Sequence, residues 1–431
     1  MNVVTAFLAG ELEEEIYMEQ PEGFEIGNPD SEDLVCKLLR SLYGLKQAPR
    51  IWNQRIRRFL KSIGFEQTHS DPCVYINKET GVIIAMWVND LIIFGRDMKD
   101  INMLKAALKE EYEMKDIGEL TYFLGIQVHR DREQKLIHID QSGYIRMILE
   151  CYEMEDCKST RIPLATGTKL VKATTSDRLT DRHMYQSIVG SQMYAMLATR
   201  PDLAYSIQQI SQHSQKPTSI HEKAARQGLR YLGGTSQEGI TYDGKEGLKL
   251  KGWCDASWGA EEGRESVSGY VFTLAGGAVS WSSKKQSSVA LSTTESEYMA
   301  ILHALKEQIW IHRLLKEIGY DISDQNSIYT DSQSAIALAH NPEHHARTKH
   351  IDIQYHFIRN RVEEGTTCLE YCPTEDMVAD DLTKSLGPDR HWKLIRMMGM
   401  KSSEEIGGIR SGSDAGTLSP RSPEPRLPKE C

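Results

Sequence analysis

The sequence predicts a mixed α and β chain whose C-terminal half is an α/β layer fold. Three observations predict it. The C-terminal half reads as three strands, a helix, a strand, then helices around one last strand, the order of a sheet layered with helices. The first half pairs a hairpin pattern with an amphipathic stretch. The composition, 40% hydrophobic and 26% charged, is that of an ordinary globular protein, and 431 residues allow two or three cores.

The elements follow in order. GVIIAMWVNDLIIFG is bounded by Gly and reads as strand, tight turn at Asn89-Asp90, and strand. Ile101, Leu104, Leu108 and Tyr112 then recur at helical spacing. TYFLGIQVHR and KLIHID read as short strands, and polar residues 166–182 as an exposed loop. Helix is expected over 181–232, broken where Arg200-Pro201 disfavours it. LKLKGWCDASW, SGYVFTLAGG and AVSWSSKK read as consecutive strands. A long helix over 293–318, the strand NSIYTD and the helix SQSAIALAH come next. A helix over 352–362, the strand TTCLEYCP and a final helix over 377–382 complete the set. The tail, 402–431, is rich in Ser and Pro and is expected to be disordered.

No apolar run approaches the roughly 20 residues that span a bilayer. The acidic N-terminus, MNVVTAFLAGELEEE, is unlike a signal peptide, so an intracellular protein, cytoplasmic or nuclear, is expected. Eight scattered cysteines lack zinc-site pairing and are expected to be reduced and mostly buried. The net charge of −10 argues weakly against a nucleic-acid binder, but it hides a local patch. From Leu34 to Phe65 there is no acid, whereas Lys37, Arg40, Lys46, Arg50, Arg55, Arg57, Arg58 and Lys61 are present. A solvated helix face would normally mix both signs, so phosphate contact is the favoured reading.

Four carboxylates stand at informative places. Asp255 lies in the first strand of the C-terminal half, Glu295 at the start of the long helix, Asp331 at the end of the fourth strand and Asp380 on the last helix. Phosphodiester hydrolysis requires such clustering, because two divalent ions about 4 Å apart must face a negatively charged substrate. Each acid also has a plainer reading. Ser292 and Glu295 have capping-box spacing, Asp331 precedes Ser-Gln-Ser as a helix start would, and Asp255 and Asp380 are ordinary surface acids if they stand alone. The ordered set favours the site. Histidines 340, 344, 345, 350 and 356 lack the spacing and partners of a zinc site.

WCDASW, SGYVFTLAGGAVSWSSKKQSSVALSTTESEY, TDSQSAIALAHNP, RTKHIDIQYHFIR and VADDLTK resemble the ribonuclease H domain of copia-type LTR retrotransposon polyproteins, over residues 248–386. The resemblance implies a ribonuclease H-like five-stranded mixed sheet. It also implies cleavage of the RNA strand of RNA–DNA hybrids with two Mg²⁺ ions, Mn²⁺ being an alternative. Matched motif to motif, the catalytic and metal-binding set would be Asp255, Glu295, Asp331 and Asp380, with Asp381 an alternative to Asp380.

The first half is similar to the reverse transcriptase of the same elements, through VVTAFLAGELEEEIYMEQPEGF, SLYGLKQAPRIW, WVNDLIIFG and YFLGIQV. This implies a truncated palm over 1–130, without fingers, and a thumb or connection-like region over 131–245. Phe7 would lie under the incoming sugar and Gln47 against the nucleotide. Lys46, Arg50, Arg55, Arg57 and Arg58 would line the template side. The family's metal-binding acids are replaced at Asn2 and Asn89, leaving Asp90. If the two amides weaken transition-state stabilisation by only ~4 kcal/mol, the rate falls roughly a thousandfold. An impaired polymerase beside an intact nuclease is therefore the expectation, with a non-catalytic nucleic-acid-binding relic, adopted by a host, as the competing reading.

Overall fold

The computed structural model describes residues 1–24, 26, 34–322, 324, 326–340 and 352–406. His344, His345, His350 and tail residues 407–431 lie outside them. The chain divides into two compact units, Met1–Leu120 with Arg313–Asp321, and Thr121–His312 with Ile322–Cys431. The regions expected over 131–245 and 248–386 fall in the second unit, except for 313–321, which belong to the first.

The first unit contains β1 (Asn2–Val3), the ribbon β2 (Tyr17–Glu19) and β3 (Val35–Lys37), α1 (Ala48–Ser62), β4 (Glu66–Gln67), β5 (Val74–Ile76), β6 (Ile83–Trp87), β7 (Asp90–Phe94), α2 (Met98–Glu111) and β8 (Met114–Lys115). One sheet runs in the order β4-β5-β6-β7-β1-β8. Helix α1 starts with Pro49 in its first turn, where a missing N–H costs nothing. Its Ala48, Trp52, Ile56 and Leu60 recur every fourth residue and are all buried. Trp52, Ile56 and Leu60 join Val3, Ile84 and Leu108 in the core. The hairpin turn is Val88-Asn89, one residue earlier than expected, and Asp90 opens β7. Val88 has φ 55°, a left-handed conformation that strains a β-branched residue. Trp52 Nε1 donates to its carbonyl at 2.6 Å and fixes the turn to the buried side of α1.

The second unit begins with β9 (Tyr122–Phe123), β10 (Ile126–Asp131), β11 (Leu136–Asp140), α3 (Ser142–Cys151), α4 (Arg182–Ala198), α5 (Ala204–Ser211), α6 (Ser219–Gly234) and β12 (Glu238–Asp243). The layered half follows: β13 (Lys251–Ser257), β14 (Val267–Leu274), β15 (Gly277–Lys285), α7 (Thr293–Glu317), β16 (Ser327–Thr330), α8 (Gln333–His340), α9 (Asp352–Glu363) and β17 (Cys368–Tyr371). Last come α10 (Pro388–Met397) and β18 (Met400–Ser402).

A five-stranded mixed sheet has the order β15-β14-β13-β16-β17, antiparallel on the β14 side and parallel from β13 to β17. This is the expected architecture. The other sheet of this unit, β18-β12-β11-β10-β9, is antiparallel throughout. Ala204 of α5 and Ile240 of β12 share a core with Trp253, Val271 and Met377, so the two parts are packed as one body. The expected final helix is instead a 3-10 turn, Val378–Leu382, and α10 beyond it had not been anticipated. The cysteines depart from the expected burial: Cys254 and Cys372 are buried, Cys36, Cys73 and Cys157 half-buried, and Cys368 exposed. Among the described residues no helix is long and apolar enough to cross a membrane.

Candidate active site

Strand register brings the first two acids together. Parallel β13 and β16 pair Trp253 with Tyr329. Two residues further along each strand stand Asp255 and Asp331, on the same face by the period-2 alternation. A third carboxylate arrives from the first turns of α7. It belongs to Glu297, and oxygens of Asp255, Glu297 and Asp331 lie within 4.8 Å of one another.

Glu295 does not join them. Its Oε2 accepts from the Leu291 N–H at 2.8 Å, and its own N–H donates to Ser292 Oγ at 3.2 Å. It therefore serves the helix start, as the S-x-x-E spacing allowed. Two residues round a helix is about 200°, so Glu295 and Glu297 project from nearly opposite faces. Glu297 shares a stripe with buried Ile301, Ala304 and Gln308, but Glu295 is buried too, on the side of Tyr298 and Leu302, so it is their partners and not their burial that separate the two acids.

Asp380 is fully buried on the 3-10 turn, beside Asp255. Lys384 Nζ pairs with it at 2.6 Å and lies 4.0 Å from Asp255 Oδ2, and Arg390 also pairs with it. Thr383 Oγ1 donates to Asp255. Asp381 points away, accepting from His391 Nδ1 at 2.6 Å. Of the two neighbouring acids, Asp380 is thus the one at the centre. Gly269, opposite Asp255 in the sheet, makes this approach possible. A Cβ there would meet Leu382 Cβ and Thr383 Cγ2, each at 2.8 Å.

Crowding sets the electrostatics. Burial first, then the charges of Asp255 and Asp331, push the Glu297 carboxyl up to about 10. Asp255 is pushed up to about 6 by burial and then by Asp380, with Lys384 opposing. Glu297 Oε2 is buried with no hydrogen-bond partner. Asp331 is half-buried and accepts from Thr374 Oγ1 at 2.7 Å. Buried like charges with a vacant acceptor are costly unless a cation neutralises them. Hard oxygen donors of this kind suit Mg²⁺.

The residues assigned to the polymerase lie in the first unit. Asn2 and Asp90 are register partners, and Asn2 Nδ2 donates to Asp90 Oδ1 at 2.6 Å. The Asn89 carbonyl accepts from Val3 N–H at 2.8 Å. Phe7 stacks at a tilt on Tyr43, centroids 4.8 Å apart, and Gln47 is half-buried just before α1. Lys46, Arg50, Arg57 and Arg58 are exposed, the three arginines away from the buried stripe of α1, while Arg55 pairs with Glu111 at 3.5 Å.

Residues 1–166 match the reverse transcriptase (RNA-dependent DNA polymerase) family. The chain is 41% identical over 412 residues, 94% of its length, to the retrovirus-related Pol polyprotein from transposon TNT 1-94 of Nicotiana tabacum, covering 31% of that protein. It is 37% identical to the corresponding polyprotein from transposon RE2 of Arabidopsis thaliana, with 95% of this chain and 28% of that protein covered. The chain thus spans less than a third of each plant polyprotein. A transposon Ty5-1 protein of Saccharomyces cerevisiae is 36% identical, matching 71% of this chain and all of its own length. Among solved structures, a foamy viral protease-reverse transcriptase in complex with RNA/DNA hybrid overlays with a TM-score of 0.45 at 13% identity, covering 86% of this chain and 43% of that one.

Proposed function

We propose that this chain, which belongs to the copia-type retrotransposon Pol polyproteins, retains ribonuclease H-type hydrolysis of the RNA strand of RNA–DNA hybrids as its chemistry. The observation that carries this reading is the convergence of Asp255, Glu297 and Asp331 within 4.8 Å, with Asp380 beside Asp255. Asp255, Glu297 and Asp331 would hold divalent metal, two Mg²⁺ ions in the full site. Such ions activate water and offset charge on the phosphate and the leaving 3′ oxygen. The protein's own part is to hold the acids in register at the strand ends. Thr383 and Lys384 fix Asp255 and Asp380, and Thr374 fixes Asp331.

The polymerase centre is impaired in this reading. Asp90 accepts a hydrogen bond from Asn2, and neither Asn2 nor Asn89 offers a carboxylate. Primer extension by this chain should be undetectable, and robust extension would overturn that half of the proposal. Cleavage of a labelled RNA–DNA hybrid in Mg²⁺, beside Asp331→Asn, tests the other half. Cleavage should fall roughly a thousandfold in the variant. Cleavage that is absent from the parent, or indifferent to the substitution, rejects it. Hybrid binding without cleavage would favour the second reading, a nucleic-acid-binding relic, for which the basic face of α1 speaks.

A further inference from the structure

A chain of buried polar groups ends at the turn that carries Asp380. Arg200, at the junction of α4 and α5, is fully buried. Its Nη2 donates to Asp202 Oδ2 at 2.6 Å and to Thr235 Oγ1 at 2.7 Å, and its Nη1 donates to the Thr235 carbonyl at 3.0 Å. The same Asp202 oxygen accepts from Tyr231 Oη of α6 at 2.7 Å. Tyr231 Oη lies 2.9 Å from His391 Nε2 of α10, and His391 Nδ1 lies 2.6 Å from Asp381 Oδ1. None of these residues is more than 5% exposed.

Burying an arginine, a histidine and two aspartates is expensive unless every partner is kept, and removing one member leaves a stranded charge. Such a network adds little net stability over an apolar core. What it adds is a single allowed arrangement. Here that arrangement governs a five-residue 3-10 turn with few backbone bonds of its own, Val378–Leu382. Consecutive residues of a tight turn point apart. Pinning Asp381 on one side therefore aims Asp380 at the other, towards Asp255, Lys384 and Arg390. Thr383, which donates to Asp255, follows directly.

We infer that Asp381, His391, Tyr231, Asp202 and Arg200 are positioning residues for the acid cluster, and that the helices before β13 and helix α10 after the turn are working parts of the nuclease centre. The inference rests on the nuclease reading for its activity and on geometry alone for its effect on the cluster. The nuclease-like stretch 248–386 contains only one of the five, Asp381.

The test uses the full chain with Tyr231→Phe, which keeps the ring in the core and removes the hydroxyl joining Asp202 to His391. Asp381→Ala and Asp381→Asn accompany it. Two readouts are taken: the Mg²⁺ concentration that half-saturates hybrid cleavage, and Mn²⁺ affinity by calorimetry without substrate. Tyr231→Phe should raise the half-saturating Mg²⁺ about fivefold with the hybrid KM changed less than about twofold, and weaken Mn²⁺ by a similar factor. Asp381→Ala should do more, and Asp381→Asn, which keeps an acceptor, should recover most of the loss. A purely structural role would lower the melting temperature without this metal-selective split. Metal dependence and Mn²⁺ affinity unchanged in both Tyr231→Phe and Asp381→Ala would overturn the inference. If the parent cleaves nothing, the nuclease reading fails separately, and the Mn²⁺ measurement still decides this one.

Discussion

At the β6–β7 hairpin, Asp90 faces Asn2 across β1 and accepts its amide hydrogen at 2.6 Å. At the ends of β13 and β16, three carboxylates crowd within 4.8 Å, and one of them has a buried oxygen with no partner. Both places are sheet centres fed by strand register. They differ in how charge is handled. An amide beside a carboxylate satisfies it internally, whereas clustered buried acids must hold a proton or take up a cation. The turn of the first place also carries strain, because Val88 there has φ 55°.

Making the second place resemble the first should have the largest effect. Asp255→Asn is expected to lower hybrid cleavage by about a thousandfold or more, read in single-turnover assays. Making the first resemble the second is a smaller change. Asn2→Asp with Asn89→Asp should create Mn²⁺ binding in the first unit at least about tenfold stronger than the parent's there, followed by paramagnetic broadening of nearby resonances. No gain would mean that the β1–β7 frame no longer holds a cation-sized gap.

The smallest effect is on stability. Glu297 is raised by burial and neighbouring acids from its ordinary 4.5 to about 10. The metal-free fold therefore retains a proton that the unfolded chain releases, and stability is lost as pH rises through that window. Glu297→Gln should raise the metal-free melting temperature by a few degrees at about pH 8 and leave it little changed near pH 4, where both states are protonated. A lower melting temperature at pH 8 would mean that the carboxyl is already compensated.

Much of this was legible from residue periodicity. LKLKGWCDASW and NSIYTD were legible as the strands that carry Asp255 and Asp331, whereas their parallel pairing as β13 and β16, which brings the two acids together, is a long-range contact. Two acids two residues apart begin one helix, and the structure gives Glu295 the capping contact that its spacing allowed and brings Glu297 to Asp255 and Asp331. The choice between Asp380 and Asp381 depended on His391 and Tyr231, 10 and 160 residues distant from their respective partners. No local pattern encodes such contacts, whereas α10 has local signals of its own, Pro388 in its first turn and buried His391, Leu394 and Ile395 at helical spacing.

The most direct measurement is therefore a pair of conservative substitutions compared under one condition, hybrid cleavage in saturating Mg²⁺. Glu297→Gln should reduce the rate about a thousandfold, while Glu295→Gln should leave it within a few-fold and cost about 1 kcal/mol of stability from the weakened helix start. The opposite pattern, with Glu295 essential and Glu297 dispensable, would contradict the site described here.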